Sequence, residues 1–293
     1  MTVLVLGGAG VDHVAYVPSL PLPSGDSVHV PSVHTRAAQT GDFVALGLHA
    51  LGVPVTHLDV IGDDVEGQLV RDLHERAGVP FVAVTTPAGT KRSVNLVGPD
   101  GRRLSLYDTS RSARVTPFPA DLVASLAAGA RHAHVCITAP CDAAIPALRA
   151  AGLTISTDLH DWDGRNPYHR AYADGADVVF LSAVNLPDPP AAMRSLNART
   201  VVATAGAEGG WALMDGVVRR FPAALPPAPV VDSNGAGDAF VAGFLFGHLN
   251  GEPVERCLEF GAVAGAHACT VPATEVNPIT RDALRVSGQG VEE

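Results

Sequence analysis

Short apolar runs alternate along this chain with longer segments that have the periodicity of amphipathic helices. The runs predict buried strands, because they are rich in Val, Ile and Leu and end at turn residues. They are Val3–Leu6, Val55–Ile61, Phe81–Val84, Ala133–Ile137, Thr154–Ser156, Val178–Leu181 and Val201–Ala203. The helical segments between them are Gly41–Ala50, Glu66–Ala77, Pro119–Ala128, Ala143–Ala151 and Pro190–Ala198. This alternation predicts a mostly parallel sheet with helices on both faces.

Two segments break the alternation. Residues 13–36 mix prolines with an alternating polar and apolar stretch, and residues 89–110 contain two strand-like runs around a Pro-Asp-Gly turn. Two interpretations are open: edge hairpins of the main sheet, or a small β lid over a cleft. We predict one domain over residues 1–293, with these two segments inserted as a lid.

Composition limits the classes of partner. Hydrophobic residues make up 47% of the chain and its formal charge is -10. A large core is therefore expected, and nucleic acid or an anionic membrane surface is not expected as a partner, because both need clustered cations. The four cysteines form no CxxC pair and no apolar run is long enough for a membrane span. We therefore expect reduced cysteines and a cytoplasmic protein.

The segment from Val231 to Phe240, which reads VDSNGAGDAF, carries the strongest chemical signal. A Gly-Ala-Gly turn that opens a helix presents backbone N–H groups to phosphate oxygens at the positive end of the helix dipole. Asp238, directly after the turn, is placed to accept a proton beside a bound phosphate. By itself the pattern has a second interpretation, since aspartate is also common in the first turn of a helix.

The same segment resembles the DTxGAGDxF signature of the ribokinase-like (PfkB) carbohydrate kinases. Four further motifs of that family follow in its order and spacing. They resemble GxxxxD at Gly7 and Asp12, GxDxxG at Gly62, Asp64 and Gly67, NxxE at Asn185 and Asp188, and TxGxxG at Thr204, Gly206 and Gly209. Five ordered matches over nearly the whole chain make a chance agreement very improbable.

The resemblance implies a doubly wound αβα sandwich with a small β-strand lid. It implies transfer of the γ-phosphate of Mg-ATP to a hydroxyl of a carbohydrate-type acceptor. Asp238 would be the catalytic base, and the amides of Gly235, Ala236 and Gly237 would form the anion hole. This set suffices in physical terms, because phosphoryl transfer depends mainly on positioning and charge neutralisation.

The resemblance also implies the nucleotide and metal contacts. Asn185, Thr204, Gly206 and Gly209 would contact ATP. Asn185 and Asp188 would hold Mg²⁺ through water, although Asp188 is one methylene shorter than the family's Glu. The simpler interpretations are a turn-forming Asn and an ordinary strand-to-turn junction. A monovalent cation such as K⁺ would bind near Asp232 and Asn234.

The acceptor end departs from the family pattern. Asp12 is the expected partner of sugar hydroxyls, with Gly41 and Asp42 as further candidates. Where the family shows paired glycines and an Asn, this chain has Ala38-Gln39 and Phe43. The acceptor and the hydroxyl that is phosphorylated therefore stay open. Asp158, His160, Arg165 and Arg111 are further cleft candidates, with surface or salt-bridge roles as the alternative.

Other functions fit the sequence less well. A dinucleotide-binding turn is excluded because His13 stands at the third glycine position of GxGxxG. A P-loop is excluded because the only lysine, Lys91, follows Thr90. A nucleoside kinase of the same fold and a catalytically silent sugar- or nucleotide-binding protein remain as alternatives. We also expect a homodimer through the lid, whose edge needs a cover.

Overall fold

The structure, a computed structural model, describes residues 2–110 and 114–287. Within these ranges it has thirteen strands and nine α-helices. The strands are β1 Thr2–Leu6, β2 Val11–Tyr16, β3 Val33–Ala37, β4 Val55–Ile61, β5 Phe81–Thr85, β6 Arg92–Val97, β7 Arg103–Tyr107, β8 Ala130–Cys136, β9 Thr154–Asp158, β10 Val178–Ser182, β11 Thr200–Thr204, β12 Gly210–Met214 and β13 Val217–Phe221. The helices are α1 Thr40–Ala50, α2 Val65–Ala77, α3 Ala120–Ala128, α4 Ala144–Ala150, α5 Pro167–Asp174, α6 Pro189–Arg194, α7 Ala236–Leu249, α8 Val254–Ala268 and α9 Arg281–Ser287.

Nine strands form one large sheet in the order β13-β12-β11-β10-β9-β8-β1-β4-β5. The seven strands from β11 to β5 run parallel, and β12 and β13 add an antiparallel hairpin at one edge. Parallel strands must be covered on both faces. In β1, Val3 and Val5 pack in the core on one face while Leu4 and Leu6 pack in the core on the other. The predicted parallel sheet with helices on both faces is confirmed.

The other four strands form a separate sheet in the order β3-β2-β6-β7, which we name the lid sheet. Its strands come from the two segments that break the alternating pattern. The interpretation of these segments as edge hairpins of the main sheet is wrong, because they pair with one another and not with the large sheet. β2 begins at Val11, so Asp12 is a strand residue of the lid sheet.

Helix α7 is buried along most of its length between the large sheet and α8. Its sequence is apolar on all sides, which is typical of a helix covered by protein all around. Gly243 allows the close approach to α8, since a Cβ at this position would lie 2.5 Å from the carbonyl oxygen of Phe260. The first turn of α7 lies near the carboxyl end of β9, since Asp158 at that end acts electrostatically on Asp238. The carboxyl ends of the strands are where open α/β sheets bind ligands.

Candidate active site

The Gly-Ala-Gly turn lies at the N-terminus of α7, as predicted. Gly235 is the N-cap residue and has φ 75°, a left-handed conformation that favours glycine. It offers no side chain to cap the helix, and among the first amides the N–H of Ala236 makes a long contact of 3.3 Å to the carbonyl oxygen of Ser233. Around Gly237 the space is open, because a Cβ built there meets no atom within 4 Å. The turn therefore has the shape and the charge of an anion-binding site.

Asp238 lies in the first turn of α7 and is partly buried. Burial raises the pKa of this carboxyl to about 7, and the negative charge of Asp158 adds to the rise. His160, Arg103 and Arg36 oppose it through their positive charge. A carboxylate that titrates near neutral pH is matched to the task of a general base.

Asp158 and His160 come together at the end of β9. The backbone N–H of His160 donates to Asp158 Oδ1 at 2.8 Å, and the imidazole Nδ1 lies 3.7 Å from Asp158 Oδ2. Both side chains act electrostatically on Asp238. Arg165 is exposed beside Asp163 and does not join them. Arg111 lies outside the described residues.

The nucleotide candidates sit at the carboxyl ends of neighbouring parallel strands. Thr204 ends β11, and Gly206 follows it with φ 57° and open space around it. Gly209 is packed, since a Cβ there would lie 2.1 Å from the carbonyl oxygen of Phe221. This places Thr204 and Gly206 where a bound phosphate can approach, while Gly209 shapes the turn.

Asn185 and Asp188 follow β10 and are both exposed. The amide nitrogen of Asn185 donates to the carbonyl oxygen of Asp161 at 2.8 Å. Asp188 is the N-cap of α6 and accepts from the N–H of Ala191 at 3.0 Å through Oδ1. Each residue keeps at least one oxygen for water, so the pair fits the predicted contact to Mg²⁺ through the water molecules that this ion retains.

The buried residue Asp232 connects the anion-hole turn to the segment after α8. Its Oδ1 accepts from the N–H of Asn234 at 2.8 Å, and its Oδ2 accepts from the N–H of Ala273 at 2.6 Å. Asn234 is also buried, and its Nδ2 has no hydrogen-bond partner among the described residues. Since the two ends of an amide exchange by rotation, Asn234 can present its oxygen there. Oxygen ligands of this kind fit a monovalent cation.

The acceptor end is tightly bonded within the protein. Asp12 is buried, and its carboxylate accepts from Arg36 Nη2 at 2.6 Å, Ser93 Oγ at 2.6 Å and Gln39 Nε2 at 3.1 Å. Ala38 has φ 151°, a backbone conformation that favours glycine. Phe43 lies against Gly235, with ring atoms 3.4 Å from a Cβ built there. The departures at Ala38, Gln39 and Phe43 therefore lie around Asp12 and its partner Arg36.

Asp42 lies beneath this end. Its Oδ2 accepts from the N–H groups of Gln39 and Gly10 at 2.9 and 3.1 Å, and its Oδ1 lies 2.8 Å from His74 Nε2. The ring of His57 continues the network, with Nδ1 3.2 Å from His74 Nε2 and Nε2 2.9 Å from the carbonyl oxygen of Gly7.

Burial lowers the pKa of His57, which favours the neutral ring. Asp42 is fully buried and faces the protein, and a direct contact between its carboxylate and the acceptor stays a prediction. Gly41 packs tightly in the same region, because a Cβ there would lie 1.9 Å from the carbonyl oxygen of Gly7. The hydrogen bonds among Asp42, His57 and His74 thus connect α1, β4 and α2 beneath the acceptor end.

Three site residues have no sequence signal that separates them from ordinary strand residues: Arg36, Ser93 and Lys91. The first two bind Asp12. Lys91 Nζ lies 3.0 Å from Oδ2 of the fully buried Asp59. Burial lowers the pKa of this amine, but the charge and the hydrogen bond of Asp59 oppose burial, and with smaller contributions from Cys141 and Cys136 the pKa is raised. These pairings depend on strand register, which alternation alone does not give.

The chain is similar to known proteins over nearly its whole length. The profile of pfkB family carbohydrate kinases matches residues 2–280. The chain is 60% identical over 288 residues to the acarbose 7(IV)-phosphotransferase of Actinoplanes sp., which covers 96% of each chain. The solved structure of a microbiome-derived acarbose kinase, Mak1, superposes with a TM-score of 0.90 at 43% identity over 98% of both chains.

A more distant structure, the ribokinase of Arabidopsis thaliana with ribose and ATP, has a TM-score of 0.79 at 20% identity over 98% of both chains. At this identity the likeness concerns the fold alone. The predicted ribokinase-like α/β fold with its lid is confirmed. Among the described residues, none of the helices combines the length and the hydropathy that a membrane span requires.

Proposed function

This chain belongs to the pfkB family of carbohydrate kinases, and we propose that its acceptor is acarbose. Its activity is ATP-dependent phosphoryl transfer to a sugar hydroxyl, as the family and its full-length relatives establish. The observation that carries the acceptor is the 60% identity to an acarbose 7(IV)-phosphotransferase over 96% of both chains. We propose that the hydroxyl phosphorylated is the 7(IV) hydroxyl of acarbose, which the name of this relative specifies.

We assign the chemical step to residues at the N-terminus of α7. Asp238 takes the proton of the acceptor hydroxyl as its oxygen forms a bond to the γ-phosphorus of ATP. The bond from that phosphorus to the bridging oxygen breaks, and ADP leaves. The amides of Gly235, Ala236 and Gly237 would stabilise the charge on the transferring group. Because the pKa of Asp238 is about 7, a large share of this carboxyl is ionised at neutral pH, and the ionised form is the one that accepts the proton.

The metal assignments follow from oxygen donors that the chain keeps available. Asn185 and Asp188 would hold the Mg²⁺ of ATP through water, and this ion would neutralise phosphate charge. Asp232 and Asn234 would hold a monovalent cation such as K⁺ beside the anion-hole turn. The unpartnered amide of the buried Asn234 supports the second assignment.

We further propose a dimer through the outer face of the lid sheet. Two rows of side chains cross this face, and their exposed apolar members are Val33, Val94, Leu104 and Leu106. A second copy of the chain would cover this surface. Sedimentation of the Leu106→Glu variant tests it: a monomer is expected from the variant and a dimer from the wild type. A wild-type monomer would refute the dimer.

We place the protein in the cytoplasm, where its substrate ATP is made. Its cysteines Cys136, Cys141, Cys257 and Cys269 are all free thiols. Free thiols are typical of a reducing compartment.

ADP release from Mg-ATP tests the acceptor. Acarbose should give turnover, and ribose, fructose and a nucleoside panel should give at least about tenfold lower kcat/KM, since the acceptor end has lost the pattern of simple sugar kinases. Preferred turnover of a nucleoside would support the nucleoside kinase alternative. Binding of ATP with no turnover of any acceptor would support a silent binding protein.

A further inference from the structure

The inner face of the lid sheet carries one row of polar side chains directly over the cleft. The strand register places Arg36 of β3 beside Asp12 of β2, Asp12 beside Ser93 of β6, and Ser93 beside Tyr107 of β7. Neighbours in such a row point to the same face of a sheet. The charges of both Asp12 and Asp238 act on the Tyr107 hydroxyl, so the row lies near the catalytic carboxylate.

The carboxylate of Asp12 has little capacity left for a ligand. An ionised carboxylate offers about four acceptor positions. Arg36, Ser93 and Gln39 already occupy three of them, at 2.6, 2.6 and 3.1 Å. One position therefore remains, whereas chelation of two neighbouring hydroxyls of a sugar needs two.

Arg36 is itself fixed by its surroundings. Its Nη1 donates to the carbonyl oxygen of Ala273, and its Nη2 donates to that of Ala38 at 3.2 Å as well as to Asp12. The guanidinium carbon lies 4.8 Å from the centre of the Phe43 ring, within the range of a cation–π contact. The side chains of Arg36 and Asp12 are 4% and 7% exposed, so water cannot replace either partner.

Two of these contacts continue to the phosphate end of the site. Phe43 packs on Gly235 in the anion-hole turn. Ala273 donates its N–H to Asp232, just before that turn, at 2.6 Å. Arg36 thus connects Asp12 to both sides of the anion hole. A requirement for stability does not explain such a pair, because a buried ion pair is commonly no more stabilising than apolar side chains of the same volume.

We propose that Arg36 is a positioning residue that determines acceptor choice. It neutralises Asp12, leaves this carboxylate able to accept one more hydrogen bond, and holds it at a fixed place relative to the anion hole. The acceptor must therefore bind through contacts spread over a larger surface, and a monosaccharide that depends on chelation at Asp12 is rejected. This inference rests on the proposed acceptor, acarbose.

The test compares Arg36→Gln, Arg36→Lys and Asp12→Asn with the double variant Asp12→Asn/Arg36→Gln. Arg102→Gln is the matched control, since Arg102 is an exposed arginine at the turn of the lid sheet. For each variant, kcat and KM are measured with acarbose and with ribose. Circular dichroism checks the fold, and calorimetry measures binding of ribose and of a nonhydrolysable ATP analogue.

In Arg36→Gln the ratio of kcat/KM for acarbose to that for ribose should fall at least about tenfold, because the freed carboxylate can bind a diol. Ribose should bind more tightly, and the affinity for the ATP analogue should stay within about twofold. Arg36→Lys should restore part of the ratio, since lysine keeps the charge but not the planar fork. The double variant should be no worse with acarbose than Asp12→Asn, because coupled residues are not additive.

The acid limb of the pH profile adds a readout that a purely structural role would not change. Arg36 opposes the raised pKa of Asp238, so its loss should move the limb to higher pH. A folded Arg36→Gln protein with an unchanged acceptor ratio, unchanged ribose binding and additive effects of the two substitutions would overturn the proposal.

Failure of the proposed acceptor would look different. In that case the wild type would turn over another acceptor and not acarbose, and the ratio would be measured with that acceptor against ribose. If the wild type prefers ribose itself, or binds it as tightly as Arg36→Gln does, the proposal fails whatever the better acceptor is.

Discussion

The phosphate end and the acceptor end of the site are built in opposite ways. At the phosphate end, the turn at Gly235 leaves the first amides of α7 uncapped, with open space around Gly237. At the acceptor end, Asp12 and Asp42 each have three protein partners at hydrogen-bond distance. The open end keeps the family's motif and the closed end departs from it. The phosphoryl-transfer step, which the whole family shares, thus depends on an exposed backbone turn. The choice of acceptor depends on side chains that are hydrogen-bonded to one another.

The largest effect should come from the open end. Asp238→Asn removes the base with little change of shape, so kcat should fall about 10³-fold. Binding of an ATP analogue, measured by calorimetry, should change less than about twofold, because the amides of the turn are untouched. Asp121→Asn, an exposed aspartate in α3, is the control and should be silent. An Asp238→Asn enzyme with more than a tenth of wild-type kcat would show that the base lies elsewhere.

The closed end should respond first in stability. His74→Leu removes the donor that faces Asp42 and His57, all of which are fully buried or nearly so. Unsatisfied buried groups of this kind cost about 1–3 kcal/mol each. Urea unfolding should therefore show a loss of about 2–4 kcal/mol, and KM for the acceptor should rise while ATP binding stays unchanged.

His49→Leu is the matched control, because His49 is exposed at the end of α1 and should lose less than about 0.5 kcal/mol. Equal losses of unfolding free energy in His74→Leu and His49→Leu would show that the buried network of His74 contributes no more to stability than an exposed residue does.

The dependence of kcat on pH should report on the open end alone, through Asp238. The pKa of Asp238 is raised to about 7, so its basic form is lost as the pH falls below that value. Below pH 7 we expect kcat to fall, approaching about tenfold per pH unit, and to level off above it. The limb should be absent from the residual activity of Asp238→Asn. A profile that stays flat down to pH 5 would contradict the assignment.

The smallest effect should come from the departure from the family signature in the turn itself. Ser233 stands where the family has threonine, and its hydroxyl, which is exposed, makes a long contact of 3.4 Å to the carbonyl oxygen of Gly101. Ser233→Thr should change kcat/KM less than about twofold and stability less than about 0.5 kcal/mol. A larger change in kcat/KM would mean that hydrogen-bonded side chains contribute to turnover at the open end as well.

The sequence predicts these two ends unequally, for a physical reason. The open end is contiguous, so its glycines and Asp238 can be recognised from their spacing, and the strands from Val55–Ile61 to Val178–Ser182 can be recognised from their apolar runs. The closed end joins residues from β2, β3, β6 and α2. Its contacts depend on how β3 aligns with β2 across an intervening loop, and alternation predicts strands without predicting register. No periodicity places His57 near His74 and Asp42.

The pairing of Lys91 with Asp59 has a practical consequence for the handling of the protein. Acylating reagents and surface-coupling esters attack amines only in their neutral form, and Lys91 is the only lysine in the chain. Its ammonium group is held by a buried carboxylate and its side chain is 25% exposed. The side chains of the chain therefore offer no readily modified amine, and coupling through lysine should leave the protein largely unmodified.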